Sequence, residues 1–500
     1  MNGRQSVLAG AIPWEKWKLG LRKGACLWIP VLIGISPGVS AQTLEDLLYR
    51  ALQSYPTILA QMQNREAADT DKTASMLRFL PSPSFTTQQN QVNYAGQPTR
   101  SQPAMNFSVS QPLFYGGALV AGYNKADAKL NAADYGILEQ RLDVSRKLVT
   151  SYAEWLKAYL KIVALEESVK LHERFVDLIT HRFQTGISPQ ADRDLGISRL
   201  MQVRADLDTQ ISVERSSLTS LSQLVGEAVK RTDLAESIAV PATVPDREEC
   251  IDVATHTNPT IHRLNYEADA AEEEAREVRA KALPQLSFHA EHQQNNAIIP
   301  GAPSYDAYGL VVSYSPDNGF ASVASASAAF TRAEAARTQV ETSKRELLDR
   351  LNVDFNEFEF SRLKKESLNR SVDLSSDISA SYDRQYLVGR KSWLDVMNMV
   401  RERTQNRMQL ADADGGLVGS SHRLALYVEG TSPYDQPPKP HPAICPDGGA
   451  CSGALKKDKP LNTQIRTAEA DPLKADASAN ASPSLLKTTL KYEASNFNSK

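Results

Sequence analysis

Between residues 105 and 115, apolar side chains fall on every second position. Met105, Phe107 and Val109 alternate with Asn106, Ser108 and Ser110. The same period returns at 306–315, where Tyr308, Leu310, Val312 and Tyr314 alternate with Gly309, Val311, Ser313 and Ser315. Such alternation over about ten residues predicts a strand with one apolar face and one small or polar face. An ordinary half-buried strand has this period, and so does the wall of a membrane β-barrel. Weaker alternation at 84–94 and 285–295 predicts a second strand beside each.

The pattern then changes abruptly. Each strong strand reaches a glycine turn, Tyr115-Gly116-Gly117 or Asp317-Asn318-Gly319, and a long stretch poor in breakers follows. Residues 117–181 contain no proline and predict a helix on the order of 100 Å long. Its apolar positions Leu148, Tyr152, Trp155, Tyr159 and Ile162 recur at spacings of four and three, a seam for partner helices. The helix breaks at "FQTGISPQ", 183–190, and its counterpart breaks at "YLVGRKS", 386–392. Gly186 and Gly389 suit the left-handed position after a helix C-terminus. Ser188-Pro189 reads as N-cap and first residue of a returning helix over 189–227. The matching return covers 392–428. Upstream of each strand pair the pattern predicts one helix of about 35 residues. The first starts at the capping box Thr43–Asp46 and ends before Pro81; the second ends before Pro284.

These correspondences share one offset, 203 residues. Pro56, Thr57 and Ile58 land on Pro259, Thr260 and Ile261. Leu80-Pro81 lands on Leu283-Pro284, Gly116 on Gly319, Gly186 on Gly389 and Asp192 on Asp395. A period this long marks a duplicated half-domain rather than a solenoid unit. The boundaries are 42–245 for repeat one and 246–430 for repeat two. Residues 431–500, rich in Pro, Ala, Ser and Lys, have no apolar periodicity and read as a disordered tail.

Composition adds little beyond the N-terminus. The 500 residues carry a net charge of −3, which gives no sign of a nucleic-acid partner. Lys16, Lys18, Arg22 and Lys23 precede the apolar run 25–35, and Val39 and Ala41 sit before a cleavage point. Residues 1–41 therefore read as a signal peptide. No other stretch approaches the ~20 apolar residues of a membrane helix. Export without one leaves the periplasm, the medium or a membrane β-barrel. Of the cysteines that remain, Cys445 and Cys451 could close a small loop. Their spacing, with only His441 nearby, is a poor metal signature. No catalytic motif is present, so neither an enzyme nor a cofactor nor a metal site is expected. His289 and His292 would point to opposite faces of a strand.

The carboxylates after the hairpin breaks allow two readings. Asp192, Asp194 and Asp395, the last in the S-x-x-D box begun by Ser392, suit helix capping and dipole compensation. Arranged around an axis, they would instead form a ring of like charge.

The duplicated helix–strand–strand–hairpin plan resembles the TolC family of outer-membrane channel proteins, over about 42–430. "TLEDLLYRALQSYP", "SQPLFYGG" and "YLVGRKSWLDV" carry the resemblance. It implies a mainly α fold with a transmembrane β-barrel: a homotrimer shares a twelve-stranded barrel above an α-helical periplasmic tunnel. It places the chain in the outer membrane of a Gram-negative bacterium, in contact with lipid. Gly116, Gly117 and Gly319 would then let strands hand over to helices. It also implies a passive exit duct, opened by an inner-membrane ABC or proton-driven transporter and a periplasmic adaptor. The cargo class would be secreted protein or small molecules. At the tunnel's periplasmic end, Tyr386 resembles the family's gating tyrosine. Lys391 resembles its basic partner, and Asp192 the acid both contact. Asp395 resembles the first of two ring aspartates, and Asn398 stands where the second would be. A rival plan, a periplasmic coiled-coil adaptor or scaffold, would have a single helical hairpin.

Overall fold

The computed structural model describes residues 43–92, 100–234, 246–294, 303–314 and 321–431. The signal peptide, the tail beyond 431, Cys445, Cys451 and Gly319 lie outside the described residues.

The chain runs α1 (Leu44–Ser54), α2 (Pro56–Leu77), β1 (Ser82–Val92), β2 (Arg100–Phe114), α3 (Ala118–Gln184) and α4 (Gln190–Val225). It then repeats the order as α5 (Arg247–Thr257), α6 (Pro259–Lys281), β3 (Gln285–Gln294), β4 (Tyr305–Ser313), α7 (Ala321–Leu387) and α8 (Trp393–Glu429). Helices α3 and α7 are each 67 residues long and begin 203 residues apart. The duplication read from single matches is thus a duplication of whole elements.

One expectation is corrected. The single upstream helix of about 35 residues is two helices in each repeat. The capping box forms as predicted, with Asp46 N donating to Thr43 Oγ1 at 3.3 Å and Thr43 N to Asp46 Oδ2 at 2.9 Å. The helix then stops at Tyr55, which is extended before Pro56, and Asn258 does the same before Pro259. Proline forces its predecessor out of the helical region, then suits the first position of the next helix. Pro189 departs from expectation in a smaller way. It is the N-cap of α4, at φ −70° and ψ 158°, and the helix begins at Gln190.

The helices form four staves. Helix α2 lies along the first half of α3, with ion pairs Lys72–Asp127 at 2.6 Å and Arg65–Asp134 at 2.9 Å. Helix α4 lies along the second half, with Arg204–Glu173 at 2.6 Å. The two short helices thus make one interrupted stave beside one continuous stave. At their junction Ser54 Oγ, at the end of α1, donates to Val225 O, at the end of α4, at 3.1 Å. Helices α6 and α8 repeat this arrangement beside α7, and both also pack on α3. The stave order is therefore α2/α4, α3, α6/α8, α7. At the junction of the first interrupted stave, α1 seats Leu44, Leu47, Leu48 and Leu52 against Leu148, Tyr152 and Trp155 of the α3 seam. Helix α8 fits between α3 and α7 through glycines. A Cβ at Gly419 would come 2.9 Å from the Ala153 Cβ, and one at Gly416 would come 2.7 Å from Ser361 Oγ.

The strands form one antiparallel sheet in the order β1-β2-β3-β4, so β1 and β4 each keep an unpaired edge. Cross-strand partners divide its residues into two faces. Phe85, Phe107, Tyr308, Leu310 and Val312 lie exposed on one. The other carries Ser84, Thr86, Ala104, Asn106, Ser108, Ser287, His289 and Glu291. An apolar face so exposed suits hydrocarbon rather than water. His289 and His292 do fall on opposite faces.

The strand-to-helix turn depends on Gly116. Gly116 and Gly117 have φ of 60° and 91°, and Gly117 caps α3. A Cβ on Gly116 would lie 2.7 Å from Ala280 O and 3.0 Å from Leu283 Cβ, whereas one on Gly117 meets nothing within 4 Å. Both positions disfavour a side chain by ~1–2 kcal/mol from backbone conformation alone. Only Gly116 adds a collision with backbone. Gly116→Ala is therefore expected to lower the denaturant midpoint of the detergent-extracted protein more than Gly117→Ala. Equal shifts would mean that the contact with α6 yields freely.

Candidate gate at the helical tips

Both hairpins turn by the same hydrogen-bonded motif. After α3, Ile187 N donates to Arg182 O at 2.8 Å and Gly186 N to Phe183 O at 3.0 Å. After α7, Arg390 N donates to Gln385 O at 2.9 Å and Gly389 N to Tyr386 O at 3.0 Å. Gly186 and Gly389 have φ of 74° and 75°. This is the Schellman arrangement, which satisfies the last carbonyls of each long helix.

Beneath the turns lies a small apolar core of Phe175, Ile179, Tyr386, Trp393, Val396, Met397 and Val400. Trp393, Val396, Met397 and Val400 recur at helical spacing and line one face of α8. Tyr386 is buried in this core, edge-on to Phe175 with ring centroids 6.2 Å apart. The Arg182 guanidinium lies 4.6 Å from its ring centre, a cation–π contact. Burial pushes the Tyr386 hydroxyl above its ordinary pKa; Arg182 opposes this and Asp192 adds to it. The structure thus brings Tyr386 and Asp192 into one electrostatic neighbourhood, together with an arginine that the sequence reading missed.

The other positions are placed as follows. Lys391 Nζ lies 4.4 Å from the Tyr382 ring centre, and no ion pair joins it to Asp192 within the protomer. Asp395 closes the capping box: Ser392 Oγ donates to Oδ2 at 2.8 Å and Asp395 N to Ser392 Oγ at 3.1 Å. Hydrogen bonds from the Ser392 side chain and backbone, with Lys391 nearby, hold Asp395 below the usual carboxylate range. Asp194, two residues beyond Asp192, is held low chiefly by the Arg193 side chain at 2.8 Å. Asn398 accepts from Arg199 Nη1 at 3.2 Å, which ties α8 to α4. Higher up, Glu167 of α3 holds Arg403, at 2.6 Å, and Arg407 of α8. Arg174 of α3 reaches Asp383 of α7 at 2.9 Å. The two hairpins of one chain are therefore tied to each other by cationic side chains. Among the described residues no cluster fit to hold a metal ion is found, and no helix is long and apolar enough to cross a membrane.

The family model for outer membrane efflux proteins matches residues 47–227 and 250–428. The chain belongs to the outer membrane efflux protein family. It is an efflux-channel protein of the outer membrane, with its helical part in the periplasm. Solved structures share the fold of this efflux protein at low sequence identity. A membrane protein from Pseudomonas aeruginosa is 14% identical, with a TM-score of 0.67 over 77% of this chain and 90% of its own. The outer membrane protein VceC from Vibrio cholerae is 17% identical, with a TM-score of 0.65 over 77% and 96%. The CmeC outer membrane channel from Campylobacter jejuni is 14% identical, with a TM-score of 0.64 over 77% and 85%. No curated protein matches the efflux protein in sequence. Its two hairpins and two strand pairs fit a channel plan, whereas the adaptor plan has a single hairpin.

Proposed function

We propose that three copies of this chain form one exit duct, opened at its periplasmic end by an adaptor and an inner-membrane ABC or proton-driven pump. The cargo is a small molecule or a secreted polypeptide, and the duct performs no chemistry on it. The observation that carries this reading is the four-stranded sheet with two unpaired edges. Four strands cannot close a barrel, and open edges are not stable in lipid. Three copies, each joining its β4 to the next copy's β1, would make a closed twelve-stranded wall. The helices support the same count. The outer staves expose Phe360, Leu363 and Leu374 on α7, and Leu59, Met62 and Met201 on α2 and α4. Exposed apolar seams on both outer staves suit packing of one copy against the next.

Around the axis the six hairpin tips would converge. There Asp192 and Lys391, unpaired with one another inside the protomer, would meet across protomers and latch the entrance. An exposed pair of this kind is worth about 1 kcal/mol or less, but three act together. The detergent-extracted protein is expected to have the mass of three chains and to give small, steady currents in planar bilayers. Lys391→Ala is expected to raise the single-channel conductance. A monomer that stays soluble without detergent would overturn the duct. A trimer whose conductance ignores Lys391→Ala would overturn only the latch.

A further inference from the structure

Among the described residues, the face of the sheet opposite the apolar one carries a single acid, Glu291. Its other described residues are Ser, Thr, Ala, Gly, Gln, Val and Pro112, with Asn106, His289 and Tyr305 among them. Glu291 pairs across the sheet with Ser108 and Ala307, and Ser108 pairs with Ser84. Its row is thus small on both sides, and the side chain stays partly exposed. Three groups hold it in place. Tyr305 OH lies 3.2 Å from Oε1 and 2.7 Å from Gln293 Oε1, Asn106 Nδ2 donates to Oε2 at 3.4 Å, and His289 Nε2 lies 3.5 Å from Oε2. Beside it, Asn106 Oδ1 is sheltered and has no hydrogen-bond partner. The acid on the apolar face, Asp306, is matched by His292 at 2.7 Å.

We infer that Glu291 selects cargo by charge: three copies form a ring inside the barrel that favours cations, inorganic or organic, over anions. The inference rests on the duct reading, which turns this face toward the lumen. Twelve strands spaced ~4.8 Å apart and tilted ~40° put the backbone about 12 Å from the axis. A carboxylate reaching inward by roughly 5 Å then lies within one Debye length, ~10 Å at 0.1 M salt, of a passing ion. One carboxylate from each copy puts three at this level. This ring is separate from the entrance. There Asn398 replaces the acid that the family resemblance predicts, and Asp395 is engaged in a helix cap. The ~100 Å length of α3 and α7 stands between the two.

The test is the reversal potential of wild-type pores in a planar bilayer under a potassium chloride gradient at low salt. Wild type is expected to prefer potassium over chloride. Glu291→Gln is expected to reduce that preference about twofold or more, and Glu291→Asp to retain it. Ala307→Lys, which sets a cation beside an intact Glu291, is expected to reduce it as well and serves where Glu291→Gln fails to insert. The same shift is expected in an Asp395→Asn background, since the entrance is remote. Unchanged selectivity in pores of either charge variant overturns the inference and leaves the duct standing. Absence of pores from the wild-type protein overturns the duct and the inference together.

Discussion

Arg423→Met is expected to destabilise the protein by about 3–5 kcal/mol, the range for breaking a buried ion pair from one side. Arg423 lies on α8 where that helix is enclosed between α3 and α7. Its Nε donates to Asp354 Oδ1 at 2.7 Å and its Nη2 to Glu357 Oε2 at 2.6 Å. The side chains of Arg423 and Asp354 are only 12% and 7% exposed, so solvent cannot take over the arginine's role. Burial lowers the Arg423 pKa, but Asp354 and Glu357 outweigh it and the net shift is upward. Removing the guanidinium would strand Asp354, whose Oδ2 already lacks a hydrogen-bond partner. The double variant Arg423→Met with Asp354→Leu removes both buried charges and is expected to recover most of the loss. Urea unfolding of the protein in detergent, run as a double-mutant cycle, measures the coupling. If the single and double variants lose equal stability, the pair is not what holds α8 to α7.

Trp155→Ala is expected to cost a similar amount, about 3–5 kcal/mol, through a different cause. Trp155 is fully buried at the junction of the first interrupted stave. Its ring lies edge-on to Tyr152 at 5.2 Å and stacks on Tyr159 at 5.6 Å. The indole nitrogen has no hydrogen-bond partner, so the contribution is packing alone. Trp155→Phe should therefore keep much of it. At the matching position of repeat two, Phe358 is only partly buried against its own cluster. Phe358→Ala is expected to cost less than half as much. Thermal unfolding of the three variants side by side would show this order; an equal cost at both positions would contradict the packing account.

Much of the architecture was legible because it depends on local rules. The offset of 203 appeared in Pro, Gly and aromatic matches, and whole elements obey it. The glycines at 186 and 389 marked both tips, since few other residues adopt that backbone conformation cheaply. The break at Tyr55-Pro56 is harder to read, although Pro56 and Pro259 share the repeat offset. Its apolar period continues across the break, and only the rule for residues before proline marks it. The glycines 415, 416 and 419 are likewise hard to read in the sequence, and the structure shows them where α8 approaches its neighbours closely. At the tips, the family resemblance singled out Tyr386 and Asp192, and Asp192 acts on the Tyr386 hydroxyl electrostatically. Sequence did not supply Arg182, Arg199 or the clamp of Glu167 on Arg403 and Arg407. Those contacts join residues as many as 240 positions apart, and no periodicity encodes which side chains meet at that separation.

The unpaired margins of β1 and β4 carry a genetic consequence. A chain whose margins are intact but whose tips cannot open would still be admitted into assemblies with normal copies. On the threefold reading, equal synthesis of the two forms would leave roughly an eighth of the assemblies wholly normal. Such an allele should therefore behave as dominant. A deletion of either margin strand, which bars the product from joining at all, should be recessive.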